Sequence, residues 1–167
     1  MRKNLKMTNK IIHPLNPIYN ESSKVLILGS FPSQISRKEM MYYANPTNRF
    51  WKVMEELFKE TILDKEEFLL RKHIALWDVV ASCKINGSSD ASISDVEVND
   101  IAGLMKDTNI TTIFTTGKKA SDLYQKYIHI DINHIALPST SSANAKMSID
   151  DLVQYYKIVK ECLDEKD

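Results

Sequence analysis

The stretch Leu26-Ile27-Leu28-Gly29-Ser30-Phe31-Pro32-Ser33, followed by Tyr42-Tyr43-Ala44-Asn45-Pro46-Thr47-Asn48-Arg49-Phe50-Trp51, decides the fold. Lys24 to Leu28 carries a short apolar run, the mark of a strand buried on both faces of a parallel sheet. Gly29 permits the turn that ends this strand, and Pro32 stiffens the loop beyond it. The second half is a loop of aromatic and amide side chains. It leads past Asn48 into a helix that runs to about Lys59, with Phe50, Val53, Met54, Leu57 and Phe58 on one stripe. Strand, tight loop and helix in that order put polar and aromatic groups at the carboxyl end of a parallel strand. Open α/β sheets place their ligands there.

The same alternation continues along the chain. Lys65 to Arg71 predicts a short helix, and Ile74 to Val80 a second buried strand. Gly87 to Ser94 is a polar loop. Asn99 to Thr108 predicts a helix, Thr111 to Thr116 a third strand ended by Gly117, and Lys118 to Tyr127 another helix. His134 to Leu137 is the fourth strand and runs into Pro138-Ser139-Thr140-Ser141-Ser142-Ala143-Asn144, after which Ser148 caps a last helix from Ile149 to about Asp164. Four such alternations predict an α/β fold whose parallel sheet is covered on both faces. The loops after Leu28, Val80 and Leu137 carry the unusual side chains and can converge on one side of that sheet. Residues 1 to 10 read as loosely ordered, and the 167-residue chain as a single domain.

Hydrophobic residues make up 43% of the chain and charged residues 26%, which predicts an ordinary globular protein rather than a disordered one. No apolar run approaches the roughly 20 residues of a membrane helix. The N-terminus lacks a secretory pattern, so the expected location is the cytoplasm. The two cysteines, Cys83 and Cys162, are expected as reduced thiols and are too few for a thiolate metal site. A net charge of zero speaks against a protein that coats nucleic acid through bulk charge, but leaves local recognition open.

Gly29 stands alone, so its loop is neither a phosphate loop nor a dinucleotide fingerprint. The histidines His13, His73, His129 and His134 are scattered and read as structural or surface groups. None of the serines has the neighbouring histidine base that a serine nucleophile needs. Tyr42 and Tyr43 have two readings, as core or as a platform for a planar ring. Asn48 reads as a helix cap or as an amide that reads a base edge or holds a water. The loop from Ser139 to Asn144 reads as an ordinary polar loop or as a set of small hydroxyls fit for phosphates.

Taken together, these segments resemble the uracil-DNA glycosylase superfamily, and within it the hypoxanthine-DNA glycosylase branch. Trp77-Asp78-Val79-Val80-Ala81-Ser82-Cys83 and Gly87-Ser88-Ser89-Asp90 with Ile93 match as well, in the family's order. The resemblance implies a three-layer sandwich around a four-stranded parallel sheet. It implies a monofunctional enzyme, without metal or cofactor, that flips a deaminated base from damaged DNA and hydrolyses its glycosidic bond. It assigns catalysis to Asn48 and stacking to Tyr43. Gly29, Ser30, Phe31 and Asn45 complete the base pocket. DNA contact falls to Ser33, Pro138, Ser139, Thr140, Ser141, Ser142 and Asn144. Relatives that act on uracil carry Asp or Asn where Phe31 stands, so strong uracil activity is not expected. The family's usual histidine is replaced here by Asn45, and its frequent proline by Ser142. Arg49 is open to two readings, a phosphate contact or a structural ion pair. The protein is expected to act as a monomer, with no membrane. Two rivals to hypoxanthine removal are the release of uracil or a broader set of deaminated bases and a relative that binds nucleic acid without cutting.

Overall fold

The computed structural model describes residues 9–164. Most of the segment expected to be loosely ordered therefore lies outside the described residues. In chain order the elements are β1 (Ile11–Ile12), β2 (Val25–Gly29), α1 (Gln34–Glu39), α2 (Phe50–Phe58), α3 (Lys65–Arg71), β3 (Ile74–Asp78) and β4 (Val80–Lys84). A 3-10 turn at Asp90–Ser92 precedes β5 (Ser94–Val98), α4 (Ile101–Met105), β6 (Thr112–Thr116), α5 (Lys118–Tyr127), β7 (Asn133–Leu137) and α6 (Ile149–Asp164).

Strands β3, β2, β6 and β7 form, in that order, the expected four-stranded parallel sheet. Successive side chains of a strand point to opposite faces, so a strand buried on both faces must be apolar throughout. β2 meets that demand: Val25, Leu26, Ile27 and Leu28 are all fully buried. Val25 and Ile27 pack with Leu76 and Phe114 beneath α2, α3 and α6. Leu26 and Leu28 pack on the other face with Ile113, Ile101 and Leu104 of α4, and Leu123 and Tyr124 of α5. Burial of each such Leu or Ile contributes about 1.5–3 kcal/mol. The result is three layers, helices on both faces of one sheet.

The strand expected from Ile74 to Val80 divides in two. β2 ends at Gly29, so β3 loses its partner at Asp78. Val79 and Val80 donate their N–H groups to the carbonyls of Gly29 and Ser30 at 2.9 and 3.1 Å. Residues 80–84 then leave to pair antiparallel with β1 and β5 in a second, three-stranded sheet that the sequence did not announce. Asn99 Nδ2 braces the break by donating to the carbonyls of Asp78 and Val80 at 2.9 and 3.3 Å. Ahead of β2, residues 11–18 strap this region down. His13 N–H donates to Ala81, and Ile18 bridges Leu76 on the outer edge of β3.

Candidate functional site

All four parallel strands deliver residues to one cavity of about 160 Å³, a size at which a cavity takes an aromatic ring. β2 brings Gly29, β3 brings Asp78, β6 brings Thr116, and the loop after β7 brings Ser139 to Ser142. Ser30, Phe31 and Ser33 line a second side, and Tyr43, Asn45 and Asn48 a third. Of the residues expected at a site, only Pro138 and Asn144 do not line it. Gly29 is there for lack of bulk rather than for an unusual turn, since its φ is not positive. A Cβ on it would stand 2.5 Å from Asp78 Oδ1 and 3.2 Å from the Tyr43 hydroxyl.

Tyr43 is held in a left-handed conformation with φ of 55°, which a non-glycine residue adopts only under constraint. One face of its ring stacks on Phe50 at 4.1 Å and 16° between planes. Its hydroxyl shares a 3.3 Å hydrogen bond with Thr116 Oγ1. Burial, and then the neighbouring Asp78, push the phenol well above its ordinary range, so it stays neutral. Phe31 is buried, sits edge-on to His13, and lies under the Arg37 guanidinium.

The two asparagines of the loop are oriented by donors that cannot act otherwise. Asn48 Oδ1 accepts from the Phe50 N–H at 2.9 Å and from Thr140 Oγ1 at 2.8 Å. A main-chain N–H only donates, so the atom facing it must be the amide oxygen. The free group of Asn48 is therefore its NH₂. Asn45 follows the same rule: Oδ1 accepts from the N–H and the hydroxyl of Thr47 at 3.0 and 2.9 Å. Helix α2 thus has Arg49 at its N-cap, where that side chain makes no capping bond, and Asn48 satisfies the N–H of Phe50.

Arg49 holds the loop after β7. Its Nε donates to Thr140 O at 3.4 Å, Nη1 to Met147 O, and Nη2 to Ser141 O and Asn144 O at 2.8 and 3.0 Å. Its main-chain N–H adds a bond to Thr140 O at 3.0 Å. Neither expected role is what this geometry describes: the guanidinium is spent on carbonyls, and no described carboxylate pairs with it. Thr140 also departs from expectation. It is 1% exposed and its hydroxyl braces Asn48, so it is an internal prop rather than a phosphate ligand. The Asn144 side chain donates inward to Ser139 O at 3.0 Å. Pro138 is fixed through its carbonyl by the Tyr156 hydroxyl at 2.6 Å. Ser33 caps α1 by accepting from Ser36 N–H. Ser142 is exposed and meets Thr47 Oγ1 at 3.2 Å.

Among the site residues that were not foreseen, three are ionisable. His13, read as structural or surface, is buried with its Nε2 2.7 Å from Asp78 Oδ2. Asp78 lines the cavity, as does Asp90, whose Oδ1 accepts from the Ser30 hydroxyl at 2.7 Å. The available signal was the Ile74 to Val80 run itself, which has one carboxylate in an otherwise apolar strand. Asp90 is raised above the ordinary carboxylate range, first by burial and then against the lowering effect of the Ser30 bond, with Asp78 adding to the rise. A raised folded value means that the charged form weakens the fold. The group's contribution is most favourable below the unfolded value of about 3.9 and is lost as pH rises through the folded value. Asp90→Asn, which keeps the Ser30 bond, should therefore raise Tm at pH 7, with the gain vanishing below about pH 4. Thermal unfolding from pH 3 to 8 checks this.

Among the described residues no group of three or more His, Cys, Asp or Glu side chains is placed to hold a metal ion. No described helix is long and apolar enough to cross a membrane. Residues 17–161 match the Uracil DNA glycosylase superfamily. A hypoxanthine DNA glycosylase of Methanosarcina acetivorans is 34% identical over 137 residues, covering 78% of this chain and 87% of the relative. Another from Methanosarcina barkeri is 31% identical, covering 78% and 86%. A solution NMR structure assigned to the uracil DNA glycosylases, also from Methanosarcina acetivorans, superposes with a TM-score of 0.77 at 29% identity, over 91% of this chain and 99% of that one. The family pattern and the three-layer fold agree along nearly the whole chain, which belongs to the uracil DNA glycosylase superfamily and within it stands with the hypoxanthine DNA glycosylases.

Proposed function

We propose that this DNA glycosylase excises hypoxanthine from deoxyinosine by monofunctional hydrolysis. A base inside a stacked duplex cannot reach a recessed pocket, so the nucleotide must be flipped out. In this reading the exposed Ser142 and the loop around it meet the backbone beside the lesion. Inside, the face of Tyr43 opposite Phe50 is the one a purine can stack on.

The observation that carries the reading is the fixed orientation of Asn48. With Oδ1 engaged by two donors, its NH₂ is what the cavity receives. The purine presents ring nitrogens and a carbonyl oxygen as acceptors. As the glycosidic bond breaks, the base takes up negative charge and those acceptors strengthen. A preplaced donor is then worth more in the transition state than before it. The same oxygen, already doubly occupied, is poorly placed to orient a nucleophilic water, so of the two roles expected for Asn48 the leaving-group role is the better supported. Asn45, with its NH₂ equally free, supplies a second donor where relatives carry histidine.

The test is release of base from labelled duplexes that hold a single deoxyinosine, deoxyuridine or deoxyxanthosine, followed by alkaline scission. Deoxyinosine is expected to be cut fastest. Cleavage at deoxyuridine alone would replace this substrate, and lesion-dependent binding without scission would replace the activity.

A further inference from the structure

His13 and Asp78 form a buried pair at the floor of the cavity, with side chains 3% and 4% exposed. The imidazole is oriented by its other nitrogen. Nδ1 lies 3.0 Å from the carbonyl of Leu15, which can only accept, so Nδ1 carries a proton. The 2.7 Å contact of Nε2 with Asp78 Oδ2 then holds a second proton. That proton can be assigned to the imidazole or to the carboxyl group. In both descriptions the pair has no net charge, and in both Oδ1 of Asp78 is purely an acceptor. No described residue donates to Oδ1, which stands beside Gly29 at the cavity wall.

We propose that His13 is a positioning residue: by holding Oδ2 it keeps Asp78 Oδ1 an acceptor turned to the ring N–H of the flipped base. The inference rests on the glycosylase reading and deepens it to the discrimination of a deaminated base. Hypoxanthine carries hydrogen on N1; adenine, from which it arises, has a bare lone pair there. An acceptor facing that lone pair repels adenine and leaves two buried acceptors unpaired, the kind of mismatch that discriminates strongly. Guanine and thymine share the N–H, so their exclusion falls to the amino and methyl groups they add. A lone carboxylate would also oppose the negative charge of the departing base. The proton shared with His13 removes that opposition.

The test compares deoxyinosine with the purine deoxyriboside, which has the same ring system but no hydrogen on N1. The ratio of their single-turnover rates cancels general damage to the enzyme. In Asp78→Leu this preference should fall about 30-fold, the worth of one hydrogen bond to a charged group. His13→Phe should lower it as well. Asp78→Asn should keep it, because Nε2 of a neutral His13 can only accept, draws the new NH₂ toward itself and leaves the carbonyl facing the base. The double variant His13→Phe with Asp78→Asn should lose it, since nothing then orients the amide. An unchanged preference in Asp78→Leu, or equal loss in Asp78→Asn and Asp78→Leu, overturns the proposal. Should Asp78→Leu not fold by circular dichroism, the double variant beside Asp78→Asn decides. Affinity for duplexes with the uncleavable 2′-fluoro forms of both nucleosides separates the two layers. A wild type that cuts nothing but binds the inosine form with a preference lost in these variants rejects the activity and keeps the ring N–H contact. Equal affinity for both forms rejects the contact.

Discussion

Asn48→Ala is expected to slow single-turnover release of hypoxanthine by about 10³-fold, the upper range for losing one preplaced donor to developing charge. The more decisive variant is Asn48→Asp. A carboxylate accepts from Phe50 N–H and Thr140 Oγ1 as the amide does, so the local structure has no reason to change. It offers the cavity an oxygen in place of NH₂. If Asn48 donates to the leaving base, the aspartate must be at least as damaging as alanine, because it adds repulsion to the loss. If Asn48 instead orients water, the aspartate should retain or improve activity, since a carboxylate is the better acceptor for a water proton. Alanine alone does not separate these roles. It also strands the buried Thr140 hydroxyl and costs about 1–3 kcal/mol of stability. Rates for both variants, read beside their unfolding curves, settle which group matters.

Arg49→Met should lower kcat/KM about 100-fold and destabilise the fold by about 3 kcal/mol, at the scale of removing a charged partner from buried groups. Four carbonyls of the 140–147 segment lose the guanidinium together, and those of Thr140, Ser141 and Asn144 keep only a main-chain N–H. Arg49→Lys should recover little, because an ammonium cannot span acceptors laid out around a planar fork. Salt dependence distinguishes this role from a phosphate contact. A residue that neutralises a phosphate, when removed, reduces the slope of log K against log salt by about 1. A residue that only shapes the loop weakens binding with the slope unchanged, and that is the expected result. A shallower slope would restore the phosphate role.

The parallel sheet was readable because Val25 to Leu28 and Ile74 to Trp77 are unbroken apolar runs, and burial on both faces calls for that. The second sheet was not, because its pairing is remote and its β5 strand, Ser94–Val98, is half polar and largely exposed. β4 was absorbed into β3 for a related reason. Val79 and Val80 continue the apolar run, and only the end of the neighbouring β2 strand makes the chain turn. Short α1, Gln34–Glu39, has too few turns to show a periodicity. In the site, the loops after β2 and β7 stood out by composition. The partnerships that give those loops their shape join residues 91 to 98 positions apart for Arg49, and 65 for His13 with Asp78. No local pattern encodes a contact at that range. Arg49 was assigned a partner of opposite charge because a guanidinium usually finds one, and a bend of exposed carbonyls is the alternative that spacing cannot reveal.

The hold that Arg49 has on the loop is blind to side chains. Every residue carries a carbonyl, so this hold does not depend on which residues supply it, while the side chains of Ser139, Thr140, Ser141 and Asn144 add bonds of their own. Positions such as Ser142 and Ala143 are thereby released to drift. A change from proline to serine there alters the surface the loop presents while its path stays the same. Under the proposed function, lineages of this enzyme can revise their grip on the double helix one surface residue at a time, with the pocket behind it left undisturbed.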